Sequence, residues 1–509
     1  MTSSHPATLP TKSSNNTYVA LMVAIVFSWV AWTAFWDTGL YGDNVEQFIW
    51  SHSVEWGYHK HPPLPTWLLA ALIGVAGPAW WLANALSAVC VAATGVLTWL
   101  IARRLTSQHV ANVIVVLWGL QQGFSVTAHI YNHNTVMVMW LAAATYCLIR
   151  ALENATPKAS PKATAWFLAT GAAASCAILT KYQAALALGS LAVVALVLSR
   201  QRKLSVAGPL AAAATLFCIL LAPHVYWGYA HQFPHLKYAA EIVESGGVLK
   251  RLFWQLTFAV NQIRMNLPLI GALLLSGVSV WAMSRAGRKP SLAAPNGSIV
   301  GGAAAAPTSE LTLWFWALLW GPLAVVLTLS MVTGSPLRNH WGVQLFQFLP
   351  LWIAARWHTH RFLQLKPLVF CALLMHALGF TYYAIKQSNK DAVLAERRAD
   401  SSYPAQKMSD AAVAHWNSVT SCPLKVVVGD FEAGLVSAFS KQFPPVFMSN
   451  TATPWVGDAD VQRHGALYVL SSSETVPKDL SPLNWPLASA KNGASKYVQF
   501  AVRLPLTPC

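Results

Sequence analysis

Two carboxylates three residues apart, Asp43 and Glu46, are followed by His52, Glu55, His59, Lys60 and His61, and the run ends in the double proline Pro62–Pro63. Carboxylates at that spacing share one face of a helix. Phe48, Ile49, Trp50, Val54 and Trp56 fall between them and the prolines, the pattern of an amphipathic segment lying at a membrane interface. A lysine supplies a point charge and an imidazolium a directed donor. The prolines fix φ and remove backbone donors, so the turn is stiff enough to pin Lys60 or His61 against a phosphate. Alone, Asp43 would read as a helix cap or a solvated loop residue. In this company it reads as part of a site for a lipid-linked anion presented at headgroup level.

The elements that must hold these residues are apolar helices. The chain has 509 residues, is 55% hydrophobic and only 10% charged, contains 24 tryptophans and has a mean hydropathy of +0.43. Those values define a polytopic membrane protein rather than a soluble domain. Spans of about 20 apolar residues are predicted near 18–36, 78–101, 109–128, 135–151, 164–180, 183–199, 204–223, 266–284, 311–332, 341–357 and 366–385, about eleven in all. The first is read as a retained helix, because no small-residue cleavage site precedes Trp36–Asp37. Arginine and lysine collect in every second connection, at Arg103–Arg104, Arg150 to Lys162, Arg200 to Lys203, Arg285 to Lys289 and Arg356 to Lys366. By the positive-inside rule those loops and the tail 1–17 are cytoplasmic. The opposite loops, chiefly 37–66 and 224–265, face outward and hold most of the histidines. The formal charge of +16 is thus largely topological, and it gives no support to nucleic-acid binding.

The reading is an all-α membrane bundle over 18–386, with a flexible inner linker over 285–310 and a polar extracytoplasmic segment over 387–509. In that segment Leu424–Val428, a helical 431–442 and Ala466–Leu470 read as strand, helix and strand, a small α/β domain. Cys422 and Cys509 both lie in it, and an oxidising compartment would let them form a disulfide. The other five cysteines sit in apolar helices and read as buried hydrophobes.

The stretch GDNVEQFIWSHSVEWGYHKHPPLPTWLLA resembles the opening of bacterial transferases of the glycosyltransferase C superfamily, in the protein mannosyltransferase and aminoarabinose transferase branch. Asn132–His133–Asn134–Thr135, Leu179–Thr180–Lys181–Tyr182, Pro223–His224–Val225–Tyr226–Trp227 with His231–Gln232–Phe233–Pro234, and Arg338–Asn339–His340–Trp341 are similar to further motifs of that family, in the same order. The resemblance implies a transferase of the bacterial inner membrane. It would pass a hexose or pentose, with inversion, from a polyprenyl-phosphate donor to an envelope lipid, glycan or protein on the periplasmic face. Asp43 matches the catalytic base, with Glu46 beside it. Lys60, His61, Lys181 and Arg338 match the cations that would stabilise the leaving phosphate, and Tyr58, Asn134, His224, His231, Glu241 and His340 are candidate substrate contacts.

The chain departs from the family pattern where relatives often carry a second outer acid, for here Asn134 stands and can be neither base nor anionic ligand. The residue before the double proline is His61, with Lys60 one place earlier, and a histidine there would make activity sensitive to pH near 6.5. A divalent metal is conceivable on His224 and His231, although no local motif supports one. The alternative reading is a polytopic transporter or flippase, since charges at the membrane also mark substrate paths. Against it, the polar motifs gather on one face with no matching inner set.

Overall fold

A computed structural model describes residues 16–158, 160–241, 247–285, 308–357, 360–389, 400–489, 495–506 and 509. Most of the expected tail 1–17 and of the linker 285–310 lies outside the described residues.

Nearly every long element is a helix. In chain order these are α1 (Thr17–Trp36), α2 (Gly42–Trp50), α3 (Leu64–Ala76), α4 (Leu82–Leu105), α5 (Gln108–Gly119), α6 (His133–Asn154), α7 (Pro161–Ile178), α8 (Ala184–Gln201), α9 (Ala207–Ala230), α10 (Pro234–Glu241), α11 (Val248–Met265), α12 (Leu267–Arg285), α13 (Thr308–Thr333), α14 (Leu349–Trp357) and α15 (Leu365–Ser388). Local chemistry marks their starts. Ser107 and Ser160 accept the backbone N–H groups of Val110 and Ala163, and Pro161 occupies the first turn of α7, where its missing donor costs nothing.

Each predicted span overlaps a helix, but among the described residues only eight helices are long and apolar enough to cross a membrane, not eleven. The exceptions have physical causes. Helix α5 stops after 12 residues, where the polar Gln121–Gln122 pair begins a tight turn. The 341–357 segment breaks between Gly342–Leu345 and α14, with Gln344 and Gln347 buried at the break. Helix α7 has the length but carries Lys162 and two threonines among small residues.

Beyond α15 the chain forms α16 (Ala405–Val419), α17 (Phe431–Phe439), α18 (Asp458–His464) and a five-stranded sheet. Its strands are β1 (Val427–Val428), β2 (Val446–Phe447), β3 (Ala466–Ser471), β4 (Leu483–Ser489) and β5 (Ser495–Arg503), in the order β2-β1-β3-β5-β4. The expected strand–helix–strand unit is present as β1, α17 and β3, with β1 and β3 parallel. The antiparallel β4–β5 hairpin, which leaves one face half exposed and alternates weakly, was not foreseen.

Cys422 and Cys509 are joined, with their α-carbons 5.7 Å apart and a sequence separation of 87. Closing so long a loop constrains the unfolded chain, which is worth about 2–4 kcal/mol. We expect Cys422→Ser with Cys509→Ser to destabilise this unit by that amount, measured as faster cleavage within 400–509 during limited proteolysis of the full protein in detergent.

One hydrophobic core fills the helical bundle, and a second is shared between the C-terminal unit and α2. Leu40, Val45, Phe48, Ile49 and Trp50 pack in a single cluster with Met408, Trp416, Phe431, Leu435 and Val436. The apolar face of α2 is therefore covered by protein and does not lie on lipid, as its amphipathic pattern had suggested.

Candidate active site

Helix α2 is placed by contacts from three directions. Its N-terminus has no local side-chain cap, and Asp400 supplies one from the C-terminal unit, its Oδ2 accepting the Gly42 N–H at 2.9 Å. An anion there is favoured by the helix dipole. On the bundle side Asn44 donates to Asn84 at 2.7 Å and accepts the Tyr131 N–H at 2.9 Å, while Thr66 donates to Gln47 at 2.8 Å. On the third side α17 approaches so closely that a Cβ on Gly434 would lie 2.4 Å from Val45 Cγ1 and 2.7 Å from Ile49 Cδ1. His52 stacks on Phe443 at 4.0 Å and meets Ser437 Oγ at 3.1 Å. We expect Gly434→Ala to cost about 1–3 kcal/mol of stability through this overpacking. Because α2 carries Asp43, turnover should fall as well, read from thermal unfolding and transfer rate on one preparation.

So held, α2 presents Asp43 to solvent and Glu46 half-buried on the same face. Asp43 Oδ2 accepts a hydrogen bond from Asn132 Nδ2 at 2.8 Å. Asn132 is the N-cap of α6, and its Oδ1 accepts the N–H groups of Asn134 and Thr135, which fixes the amide so that only its NH2 can face the carboxylate. An aspartate at 132 would cap α6 equally well but would repel Asp43.

Glu46 forms an ion pair with Lys60 at 2.8 Å. Burial raises the Glu46 carboxyl above its ordinary range, with Lys60 opposing the shift. Burial also works against the Lys60 charge, but the attraction of Glu46 outweighs it and holds the ammonium up. Tyr238 of α10 lies under Lys60, its ring centroid 5.9 Å from Nζ. Asp430, at the start of α17, acts electrostatically on both members of the pair.

The turn after Tyr58 closes through the Tyr58 N–H, which donates to the His61 carbonyl at 3.0 Å, and it is tied to α7 by the Leu64 N–H on the Leu179 carbonyl at 2.9 Å. That tie brings the Lys181 turn beside the double proline. Lys181 Nζ donates to Asn134 Oδ1 at 2.8 Å. Burial lowers the Lys181 ammonium to about 8, the Asp43 carboxylate acting in the opposite sense. Lys181 and Arg338 both act on His340, and the latter two are exposed. The structure thus brings Asp43, Glu46, Lys60, His61, Asn134, Lys181, Arg338 and His340 to one region.

Other expected contacts lie elsewhere or are already engaged. Tyr58 is 2% exposed, stacks on Trp50 at 4.9 Å and donates its hydroxyl to the Ser53 carbonyl at 2.7 Å, so it supports the loop and offers nothing to a substrate. His224 uses both ring nitrogens, one with the Tyr182 hydroxyl at 2.7 Å and one on the Trp56 carbonyl at 2.6 Å. His231 stacks on Trp227 at 4.5 Å and spends Nδ1 on the Trp227 carbonyl. Glu241 is exposed at the end of α10. A metal on His224 and His231 does not fit these engagements, and among the described residues no three His, Cys, Asp or Glu side chains converge on a common point. His61 also departs from expectation. Burial, reinforced by His133, Lys181, Lys60 and His59, holds it well below its ordinary value, so it is neutral at pH 7 and will not titrate near 6.5.

Asn132, Tyr238, Asp400 and Asp430 were missed as parts of the site. Asn132 had a signal, an N-cap residue opening an apolar run, but the others reach the site only through folding.

Arranged in this way, the segments that join the long helices gather a carboxylate and several cations in one region. The fold is one already seen in a solved structure, that of ArnT. ArnT from Cupriavidus metallidurans is similar over 96% of this chain and 98% of its own, at 17% identity, with a TM-score of 0.54 for the structure bound to undecaprenyl phosphate and 0.55 for the apo state. The S. cerevisiae protein O-mannosyltransferase complex bound to the sugar donor gives a weaker likeness, 17% identical over 45% of this chain and 35% of that one, with a TM-score of 0.32. In sequence, the profile of the dolichyl-phosphate-mannose-protein mannosyltransferase family matches residues 60–227. That interval holds Lys60, His61, Asn134 and Lys181. No curated protein sequence matches the chain.

Proposed function

We propose that the protein is an inverting glycosyltransferase that moves a sugar from a polyprenyl-phosphate donor to an envelope lipid, glycan or protein. The observation that carries this reading is the juxtaposition of an exposed, hydrogen-bonded Asp43 with Lys181, on which it acts, and with the Glu46–Lys60 pair. Asp43 Oδ2 is held by Asn132, which leaves Oδ1 to accept the proton of an attacking hydroxyl. As the anomeric C–O bond breaks, negative charge grows on the lipid phosphate, and Lys60, Lys181 and Arg338 stabilise it with no reorganisation at the moment of reaction. The ArnT fold with undecaprenyl phosphate bound and the mannosyltransferase profile over 60–227 support a lipid-linked donor.

The positive-inside rule, applied to the basic connections, supports a cytoplasmic N-terminus and a periplasmic side of a bacterial inner membrane for 37–66 and 224–265, and the core that α2 shares with the C-terminal unit supports the same side for that unit. Residues 18–386 form the catalytic bundle and 387–509 the appended domain, whose hold on α2 supports a part in positioning the base. Mass spectrometry of envelope lipids, glycans and proteins from cells with and without the protein tests the reading. A hexose or pentose should disappear from one acceptor class in its absence, and an unchanged envelope would count against it.

A further inference from the structure

His133, the first residue of α6, lies in the site without serving any role given above. It is only 4% exposed. It makes a hydrogen bond to the backbone of Pro62, and since proline has no N–H the partner is the carbonyl and the ring must donate. Its Nε2 is buried with no protein partner, so the donor is Nδ1–H and Nε2 carries a free lone pair. The ring packs on His61 with centroids 4.1 Å apart and meets Trp50 edge-on at 6.0 Å.

The charged groups around it are Lys60 and Lys181, which both act on it, with Glu46 paired to Lys60 and Asp43 acting on Lys181. A buried lone pair left unmatched beside two ammonium groups costs free energy. It would be matched if negative charge entered the site and a proton came with it.

We propose that His133 is a further catalytic residue, an imidazole that takes up a proton at Nε2 as the polyprenyl phosphate forms and donates it in a hydrogen bond to a phosphate oxygen. This rests on the transferase reading above. The step balances. The acceptor hydroxyl forms the new bond to the anomeric carbon and gives its proton to Asp43. The bond from that carbon to the phosphate oxygen breaks, and its electron pair stays on the phosphate, which passes from a monoanionic diester to a dianionic monoester. Asp43 returns one proton to solvent, and His133 gains one. Its neighbour His61 lies tilted against it at 42° and covers one side of the ring, and the unpartnered Nε2 is left as the group able to respond.

Isothermal titration calorimetry tests this on the full protein in detergent, with a polyprenyl phosphate as probe, at pH 7 in two buffers of different ionisation enthalpy. The dependence on buffer reports protons taken up on binding, and comparing variants cancels the titration of the lipid phosphate itself. Wild type should take up a proton. His133→Gln, whose amide is a permanent donor near the Nε2 position, should bind with similar affinity while proton uptake falls. His133→Asn, which keeps a donor for Pro62 but nothing at Nε2, should lose the uptake and bind about tenfold more weakly. If His133→Asn fails to fold, His133→Gln alone decides. Binding with the same proton uptake in the variants as in wild type overturns the role of His133. Absence of binding by wild type overturns the donor reading with it.

Discussion

Asp43→Asn should lower turnover by about 10²–10⁴-fold, the usual contribution of a positioned general base, while leaving polyprenyl-phosphate binding in place. The replacement is nearly isosteric, and Asn132 Nδ2 can still meet the side-chain oxygen it now holds at 2.8 Å. The loss should therefore appear in kcat, not in stability. Asp43 is exposed and α2 is fixed by Asp400, Asn84 and Gly434 whatever stands at 43. A folded variant that transfers sugar at the wild-type rate would remove Asp43 from the mechanism. Glu46 is a poor substitute as base, because its carboxylate is taken by Lys60.

The second large effect is expected at Lys181. Removing a preorganised charge from a developing phosphate typically costs about 10²–10³-fold, and Lys181→Met should show a loss of that size. The wild-type rate also carries a signature of this residue. With its ammonium lowered to about 8 by burial, Lys181 is charged below that pH and neutral above it, so turnover should be sustained up to pH 8 and decline beyond. Lys181→Arg stays charged at high pH and should flatten that limb, even where its different geometry lowers the maximum. A profile that falls below pH 7 instead would place the controlling group elsewhere. The Asp43 carboxylate favours the charged lysine, so in Asp43→Asn the high-pH decline in lipid phosphate binding should begin earlier.

The division between what could be read from the sequence and what could not follows sequence separation. Hydropathy set out the helical bundle because lipid leaves a backbone little choice but helix. The near misses, α5 and the break before α14, are places where glutamines are buried inside the protein rather than facing lipid. The β1–α17–β3 unit was visible because its strands are bounded by turn residues. The Asp43–Glu46 and Lys60–His61 groups were visible because each is contiguous. Invisible were the partners that decide what these residues can do. Asn132 is 89 positions from Asp43, and Asp400 is 358 from Gly42. Burial was equally hidden. It turned His61 from an expected charged donor into a neutral ring, and it turned Tyr58 and His224 from substrate contacts into supports for the loop. Composition gives no access to which polar side chain will find a protein partner and which will be left for a ligand.

The most direct measurement uses the purified protein in lipid nanodiscs with a polyprenyl-phosphate sugar labelled in the sugar and an extract of envelope acceptors. Our account requires release of free polyprenyl phosphate in step with label on an acceptor, bearing the opposite anomeric configuration, by wild type and not by Asp43→Asn. Label that stays on intact lipid, or cleavage that proceeds equally in Asp43→Asn, would contradict it.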